Sequence, residues 1–232
     1  MNWDALTLTI RLALLVAALL LVIGMPIAYW ITYSRRRWKF LVEAVVSLPL
    51  VLPPTVLGFY LLVALGSRSP LGRWWESLTG HTMAFTFSGL VVGSVIYSLP
   101  FAVQPFAASF AAVDKRLLAA SATLGESPLR TFLRVVLPLS IPGLITGLVL
   151  SFAHTMGEFG VVLMIGGNIP GVTQTISISI YDAVQAGEYH AANHTALLLL
   201  AISFLTLALV YSVNRKVWVV RVNRGSRPID TD

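Results

Sequence analysis

Apolar stretches of membrane-spanning length alternate with short polar connections along this chain. Residues 9–33, 40–65, 83–108, 137–161 and 191–213 are dominated by Leu, Val, Ile, Ala and Phe. A bilayer core about 30 Å thick is crossed by about 20 apolar residues of α-helix, so each stretch predicts one transmembrane helix. The expected class is an all-α polytopic membrane protein of about five transmembrane helices, a single domain over 1–232 with its core at about 7–216. Residues 162–180 are apolar enough for a sixth span, but Gly166, Gly167, Pro170 and Gly171 interrupt them. A short re-entrant or interfacial segment fits that interruption better. The run 12–31 is longer than the apolar part of a signal peptide, and no A-x-A site follows it. It reads as a retained helix.

Composition agrees with lipid as the main solvent. Hydrophobic residues make up 56% of the chain and charged ones 11%, where a soluble domain carries about a quarter charged. The absence of cysteine removes disulfides, thiolate metal sites and cysteine nucleophiles. The net charge of +6 gains meaning from its placement. Of the 16 Lys and Arg, only Arg11, Arg68 and Arg73 fall outside one alternating set of connections. That set holds Arg35, Arg36, Arg37, Lys39, Lys115, Arg116, Arg130, Arg134, Arg215, Lys216, Arg221, Arg224 and Arg227. Cations mark the cytoplasmic side, so the N-terminus is expected outside and the C-terminus inside. The connection 111–136 is then a cytoplasmic loop, and 162–190 an outer loop.

The cytoplasmic loop, "LLAASATLGESPLRTFLRVVLPLSIPG" at 117–143, has an organisation of its own. Val113, Leu117, Ala120 and Leu124 share a helical stripe, with Lys115 and Arg116 away from it. Asp114 suits an N-cap, Gly125 a left-handed stop, and Ser127-Pro128 the cap and first turn of a second helix. Small residues at 119–122 permit close approach of another backbone. Such a helix could lie on lipid or dock a protein; the lack of Trp or Phe favours docking.

At these residues a resemblance becomes specific. The pattern E-A-A-x3-G-x9-I-x-L-P marks permease subunits of ABC importers. Ala119-Ala120-Ser121, three residues, Gly125, nine residues and Val135-x-Leu137-Pro138 resemble it without a gap. Ala119 stands where that family has an acid, and Ser121 where it has alanine. The resemblance implies a type I importer core and a coupling helix seated in an ATPase subunit. It implies coupling roles for Leu117, Ala119, Ala120, Ser121, Leu124, Gly125, Pro128, Leu137 and Pro138. "GEFG" at 157–160 resembles the oxyanion permeases for molybdate, tungstate and sulfate. "LPLVLPPTVLGFYLL" at 48–62, "GNIPGVTQT" at 167–175 and "IYDAVQAGEY" at 180–189 are similar to the molybdate branch.

The partners follow from that resemblance. They are a second copy of the chain, two cytoplasmic ABC ATPases and an extracytoplasmic molybdate-binding protein, all at a bacterial inner membrane. Five helices form a thin wall for a polar path, which also points to a homodimer. No G-x4-G-K-[ST] loop occurs, so the chain is not expected to be an enzyme, and ATP and Mg belong to the ATPase. No cofactor, metal site or nucleic-acid contact is expected in this chain. Tungstate or sulfate remains an alternative cargo. A self-sufficient secondary transporter fits less well, because no internal repeat is present and the proline-rich spans occur only in the first half.

Inside the spans, prolines and polar residues are the candidates for a path. Pro49, Pro53 and Pro54, with Pro100 and Pro105, leave carbonyls that need other partners in lipid. They suit either packing kinks or a path lined by Pro53, Pro54, Thr55, Ser98 and Gln104. His154 and Glu158 stand at i, i+4 and share a face; without a third ligand at helical spacing they do not form a zinc site. Glu158 lies about 31 Å along a helix from Leu137 at 1.5 Å per residue. There, at the outer interface, it is expected to cap or pair and to organise the outer gate. In the outer loop, "IYDAVQAGEYH" at 180–190 is helical in pattern, with Ile180, Ala183, Val184 and Gly187 on one side. The loop suits either a solvated linker or, as the resemblance implies, a platform for the binding protein with Asn168, Gln174, Tyr181 and Glu188 as docking residues.

Overall fold

The computed structural model describes residues 2–225, with side chains as far as Ser212. The side chains of Arg215, Lys216, Arg221 and Arg224, and the whole of Arg227, therefore lie outside the described residues. The first helix, α1 (Trp3–Tyr33), starts where the Asn2 side chain accepts from Ala5 N at 3.0 Å. After it come α2 (Lys39–Val51), α3 (Pro54–Leu65), α4 (Pro70–Thr79) and α5 (Phe87–Ala111). The elbow helices α6 (Lys115–Thr123) and α7 (Pro128–Thr131) lead through a π-helical turn at Phe132–Val136 into α8 (Leu137–Met156). Then come α9 (Gly160–Gly166), α10 (Ile176–Gln185) and α11 (Tyr189–Gly225).

Four helical runs are long and apolar enough to cross a membrane: Trp3–Tyr33, Phe87–Ala111, Pro128–Met156 and Tyr189–Ser212. The fifth apolar stretch is not one straight helix. It is α2 and α3 joined at a bend of 114°. Two residues in succession precede a proline, Leu52 before Pro53 and Pro53 before Pro54. Both are driven out of the helical region, each with ψ 135°, because the proline ring crowds the backbone before it. Pro26, Pro100, Pro105 and Pro142 stay inside their helices, so an isolated proline is absorbed where a tandem pair is not. Residues 162–180 form the short α9, a loop and the start of α10 rather than a sixth span.

The π-helical turn has a local cause. Pro138 has no N–H to offer Arg134, and its ring would crowd that carbonyl. Leu137 N instead reaches back to Phe132 O, which widens the turn where the elbow joins the span.

The helices α1, α5 and α8 form the core, with Leu12, Val16, Leu20, Leu90, Phe106, Phe110, Val136 and Leu144 buried between them. Large apolar residues such as Val22, Phe204 and Leu205 face outward, as lipid requires. Without a hydrophobic drive in lipid, helices hold together by close packing, which favours small residues. On α8, Ser140, Gly147, Ser151 and Thr155 are buried. A Cβ on Gly143 would lie 2.3 Å from Ser109 Cβ, and one on Gly147 would lie 2.6 Å from the Phe106 ring. The α8 backbone therefore rests directly on α5. A long-range cap fixes α10: Thr9 Oγ1 on α1 accepts from Ile176 N at 2.8 Å and donates to Ala5 O at 2.7 Å. Its first turns bury Ile176 and Ile178. The expected face of α10 is thus only partly the packing face, since Val184 is exposed.

Candidate functional site

The broken pair α2–α3 meets the segment that follows α8. The chain leaves α8 at Met156, passes through Gly157–Phe159 and begins α9 at Gly160, beside the Pro53–Pro54 break. A Cβ on Gly160 would sit 2.7 Å from Pro54 Cβ, and one on Gly58 would sit 2.8 Å from Met164 Cβ. Glycines at both contacts let α3 and α9 touch along their backbones. Beside this junction is a cavity of about 560 Å³, lined among others by Pro54, Thr55, Tyr97, His154, Glu158 and Met164. A second hollow of about 340 Å³ runs along Pro49–Pro54 and shares Tyr97 and His154 with the first.

His154 is held firmly in this wall. Its ring stacks on Phe101 with centroids 3.9 Å apart at 24°, and lies 4.8 Å from Tyr97. Its Nδ1 is 2.9 Å from Ser98 Oγ, which is 3.0 Å from Thr155 Oγ1. Ser98 is therefore buried behind the histidine and positions it. Gln104 is elsewhere: it is exposed and donates to Ser47 Oγ at 3.4 Å. Pro53, Pro54, Thr55, His154 and Glu158 are brought together as path candidates, and Gln104 is not. Tyr97 and Phe101, one helical turn apart on α5, complete this wall, and nothing local in the sequence says which face of α5 meets α8.

Glu158 departs from the expectation of an interfacial carboxylate that caps or pairs. It is 4% exposed, with no hydrogen bond of ordinary length and angle at either carboxylate oxygen, and the buried Ser94 hydroxyl is the polar group beside it. The physical reason is the turn at Gly157. Instead of running on to the surface, the chain folds into α9, and the segment is covered by α3 and by α10, where Phe159 lies 5.1 Å from Tyr181.

The outer loop is tied together by a polar clasp. Asp182 accepts from Asn168 Nδ2 at 2.9 and 3.1 Å and from Gln174 Nε2 at 2.8 Å. Gln174 Oε1 accepts from Asn2 Nδ2 at 2.9 Å, joining the start of α1 to the loop. Asn168 and Gln174 are thus half-buried and hydrogen-bonded within the loop, while Tyr181 and Glu188 are exposed. Asp182→Ala strands two amide donors, at about 1–3 kcal/mol for each group left unsatisfied. Faster amide exchange across 168–182, with α1, α5 and α8 unchanged, is the expected result; unaltered exchange would mean the clasp contributes nothing.

On the elbow, the caps fall where the residue types place them. Asp114 Oδ1 accepts from Arg116 N at 2.8 Å, and Ser127 Oγ from Arg130 N at 3.4 Å. Gly125 has φ 73°. Gly125 N bonds to Ala122 O at 3.0 Å and Glu126 N to Ser121 O at 3.2 Å, the paired bonds of a Schellman stop. The stripe read from the sequence divides. Val113 is buried, and Leu118 packs on the core. Leu117 (47% exposed), Ala120 and Leu124 (83% exposed) project outward with Ala119, and Leu129 and Leu133 extend the same apolar surface. Ser121 turns inward, 2.7 Å from Thr131 Oγ1, and braces the two elbow helices against each other. Leu137 and Pro138 belong to the return into α8 rather than to the projecting tip. Glu126 pairs with Arg130 at 3.5 Å and Arg134 at 3.2 Å, so the acid nearest the tip is engaged inside the elbow.

A bundle of helices long enough to cross a membrane, one bent pair among them beside an open cavity, with an elbow at the opposite end of α8 from the 162–190 loop, has the form of a transport permease. The chain belongs to the family described as binding-protein-dependent transport system inner membrane component, which matches residues 9–219. Among its relatives, the "Molybdenum transport system permease protein ModB" of Azotobacter vinelandii is 53% identical over 211 residues, covering 91% of this chain and 93% of that one. The protein of the same name from Escherichia coli K12 is 35% identical over 225 residues, covering 96% and 95%. A "Probable sulfate transport system permease protein cysT" of Prototheca wickerhamii is 32% identical over 202 residues, covering 87% and 79%. In fold, the chain is similar to the inward-facing MetNI methionine ABC transporter, with a TM-score of 0.72 at 17% identity and coverage of 92% and 96%.

Proposed function

We propose that this chain is the permease subunit of an ATP-driven importer of molybdate in a bacterial inner membrane. The observation that carries the transport reading is the cavity beside the Pro53–Pro54 break, where α3 meets the segment that follows α8. Helix breaks supply unpaired backbone groups where a hydrophilic solute must pass, and they are tolerated at membrane depth only where protein or a water-filled cavity receives them. Among the described residues, no Lys or Arg lines this cavity. Thr55, His154 and the N-terminal end of α3, where the helix dipole is positive, offer polarity without a fixed cation that would trap a dianion. The names of the relatives narrow the cargo to molybdenum oxyanion over sulfate.

In this reading two copies face each other across the cavity, each elbow seats in one of two ATPase subunits, and a binding protein delivers the anion at the outer loop. ATP and Mg are bound by the ATPases. Binding energy released as the ATPases close moves the elbows, and the breaks at Pro53–Pro54 and Gly157–Gly160 serve as hinges between inward- and outward-open states. The permease contributes no catalytic residue.

The test is uptake of labelled molybdate by vesicles holding the assembled complex. Uptake is expected to require ATP and the ATPase, to be suppressed by unlabelled molybdate and tungstate, and to persist in a large excess of sulfate. Uptake without the ATPase would replace this reading with a secondary transporter. Equal suppression by sulfate would overturn the cargo.

A further inference from the structure

The connection between α3 and α5 contains a helix that the transport reading does not use. On α4, the three side chains Leu71, Trp74 and Leu78 recur at the spacing of one helical face, and all three are exposed, Trp74 by 59% and Leu78 by 64%. The other faces are occupied differently. Gly72 lies against the end of α3, where a Cβ would meet Gly66 O at 2.0 Å. Ser69 Oγ donates to Ala64 O at 2.5 Å and accepts from Gly72 N at 2.7 Å, and Ser67 donates to the Glu76 carboxylate. Trp75 packs with Leu65, Met83, Val161 and Ile165. Arg73 and Ser77, exposed, stand on the remaining side. The helix is thus clamped sideways to the body, with an apolar face in one direction and a polar one in another.

Its depth is set by its neighbours. It ends eight residues before α5, a helix long and apolar enough to cross the membrane whose other end leads into the elbow. It therefore lies at the level where spans end, on the side opposite the elbow. The helix to which it is clamped itself exposes Phe59, Tyr60 and Val63, an apolar surface suited to acyl chains. Tryptophan is favoured at the boundary of acyl chain and headgroup, and Arg68 and Arg73 complement headgroup phosphates. A short helix with a strong apolar face, a polar back and flanking cations is the form that lies in the plane of a bilayer surface.

We propose that α4 is an interfacial anchor whose Leu71–Trp74–Leu78 face is embedded in the lipid leaflet opposite the elbow. Anchoring α4 ties the outer end of α3, and through Trp75 the start of α9, to a fixed membrane depth. The α2–α3 break then bends against a stationary reference.

The lack of native cysteine makes the test direct. Single-cysteine variants at 71, 73, 74, 77 and 78 of the full chain, each carrying a nitroxide, are placed in vesicles of phosphatidylethanolamine and phosphatidylglycerol. Collision with oxygen, which concentrates in lipid, is compared with collision with a nickel chelate, which stays in water. Oxygen should dominate at 71, 74 and 78 and the nickel chelate at 73 and 77, alternating with the helical period. Nickel access at all five positions would overturn the proposal by placing the helix in water. Low access of both reagents at 71, 74 and 78 would overturn it by placing a second copy or a partner protein over the face. Should Trp74→Cys fail to fold, Leu71→Cys and Leu78→Cys report the same face.

Discussion

Gly147→Leu is expected to eliminate folded permease. Its Cβ alone would lie 2.6 Å from the Phe106 ring and 3.0 Å from the backbone oxygen of Ala102, and neither neighbour has space to retreat. Phe106 is fully buried among the residues joining α1, α5 and α8, and Ala102 O is fixed in the α5 backbone. Overpacking a close-packed site costs about 1–3 kcal/mol; with backbone on one side, the upper end or more is expected here. Measured as recovery of monodisperse protein from membranes and as the midpoint of thermal unfolding, the variant should lose most of its yield. Ile141→Leu, an exposed position on the same helix, serves as the control and should be neutral. Pairing Gly147→Leu with Phe106→Ala should restore part of the loss, because the two side chains compete for the same space. Wild-type yield and midpoint for Gly147→Leu would mean that α5 and α8 are not in backbone contact.

Gly125→Val acts by strain rather than collision. Nothing lies within 4 Å of a Cβ built there, so the protein body would tolerate the side chain. The difficulty is the left-handed φ of 73°, which costs an L-residue about 1–2 kcal/mol and is a genuine outlier for a β-branched one. The variant should preserve yield and thermal midpoint while the Schellman stop opens and the tip formed by Leu117, Leu124 and Leu129 loses its arrangement. A loss near 1.4 kcal/mol in docking is a tenfold weaker complex, so co-purification of the ATPase and transport-coupled ATP hydrolysis should fall by about that factor. Gly125→Asn, which tolerates the left-handed region, should retain both. Full co-purification of the Val variant would remove the elbow from the coupling route.

These two glycines show how unevenly the chain discloses itself. Gly125 was recognisable as a helix stop because its neighbours, Asp114 before it and Ser127-Pro128 after it, are the caps of two short helices. Gly147 gave no such sign: a glycine in an apolar span has the same local meaning whether it faces lipid or another backbone. The tandem Pro53–Pro54 pointed to an irregular second span, yet the 114° bend depends on α3 finding glycine contacts with α9. For Asn168 and Gln174 the resemblance implies docking of a binding protein, and nothing local in the sequence shows their bonds within the loop. Their engagement with Asp182, itself in the following helix, and with Asn2 at the far end of the chain could be found only in three dimensions.

Span number and helix caps rest on interactions within a turn or two of sequence, and on the length of chain needed to cross lipid. Those properties are carried by residue type and spacing, so the chain alone determined them, along with the elbow and its family resemblance. The cavity at His154, the burial of Glu158 and the sideways clamp on α4 arise from elements distant in sequence meeting at ångström separations. Tertiary structure alone decided them, because hydrophobic periodicity says that a face will be covered without saying by what.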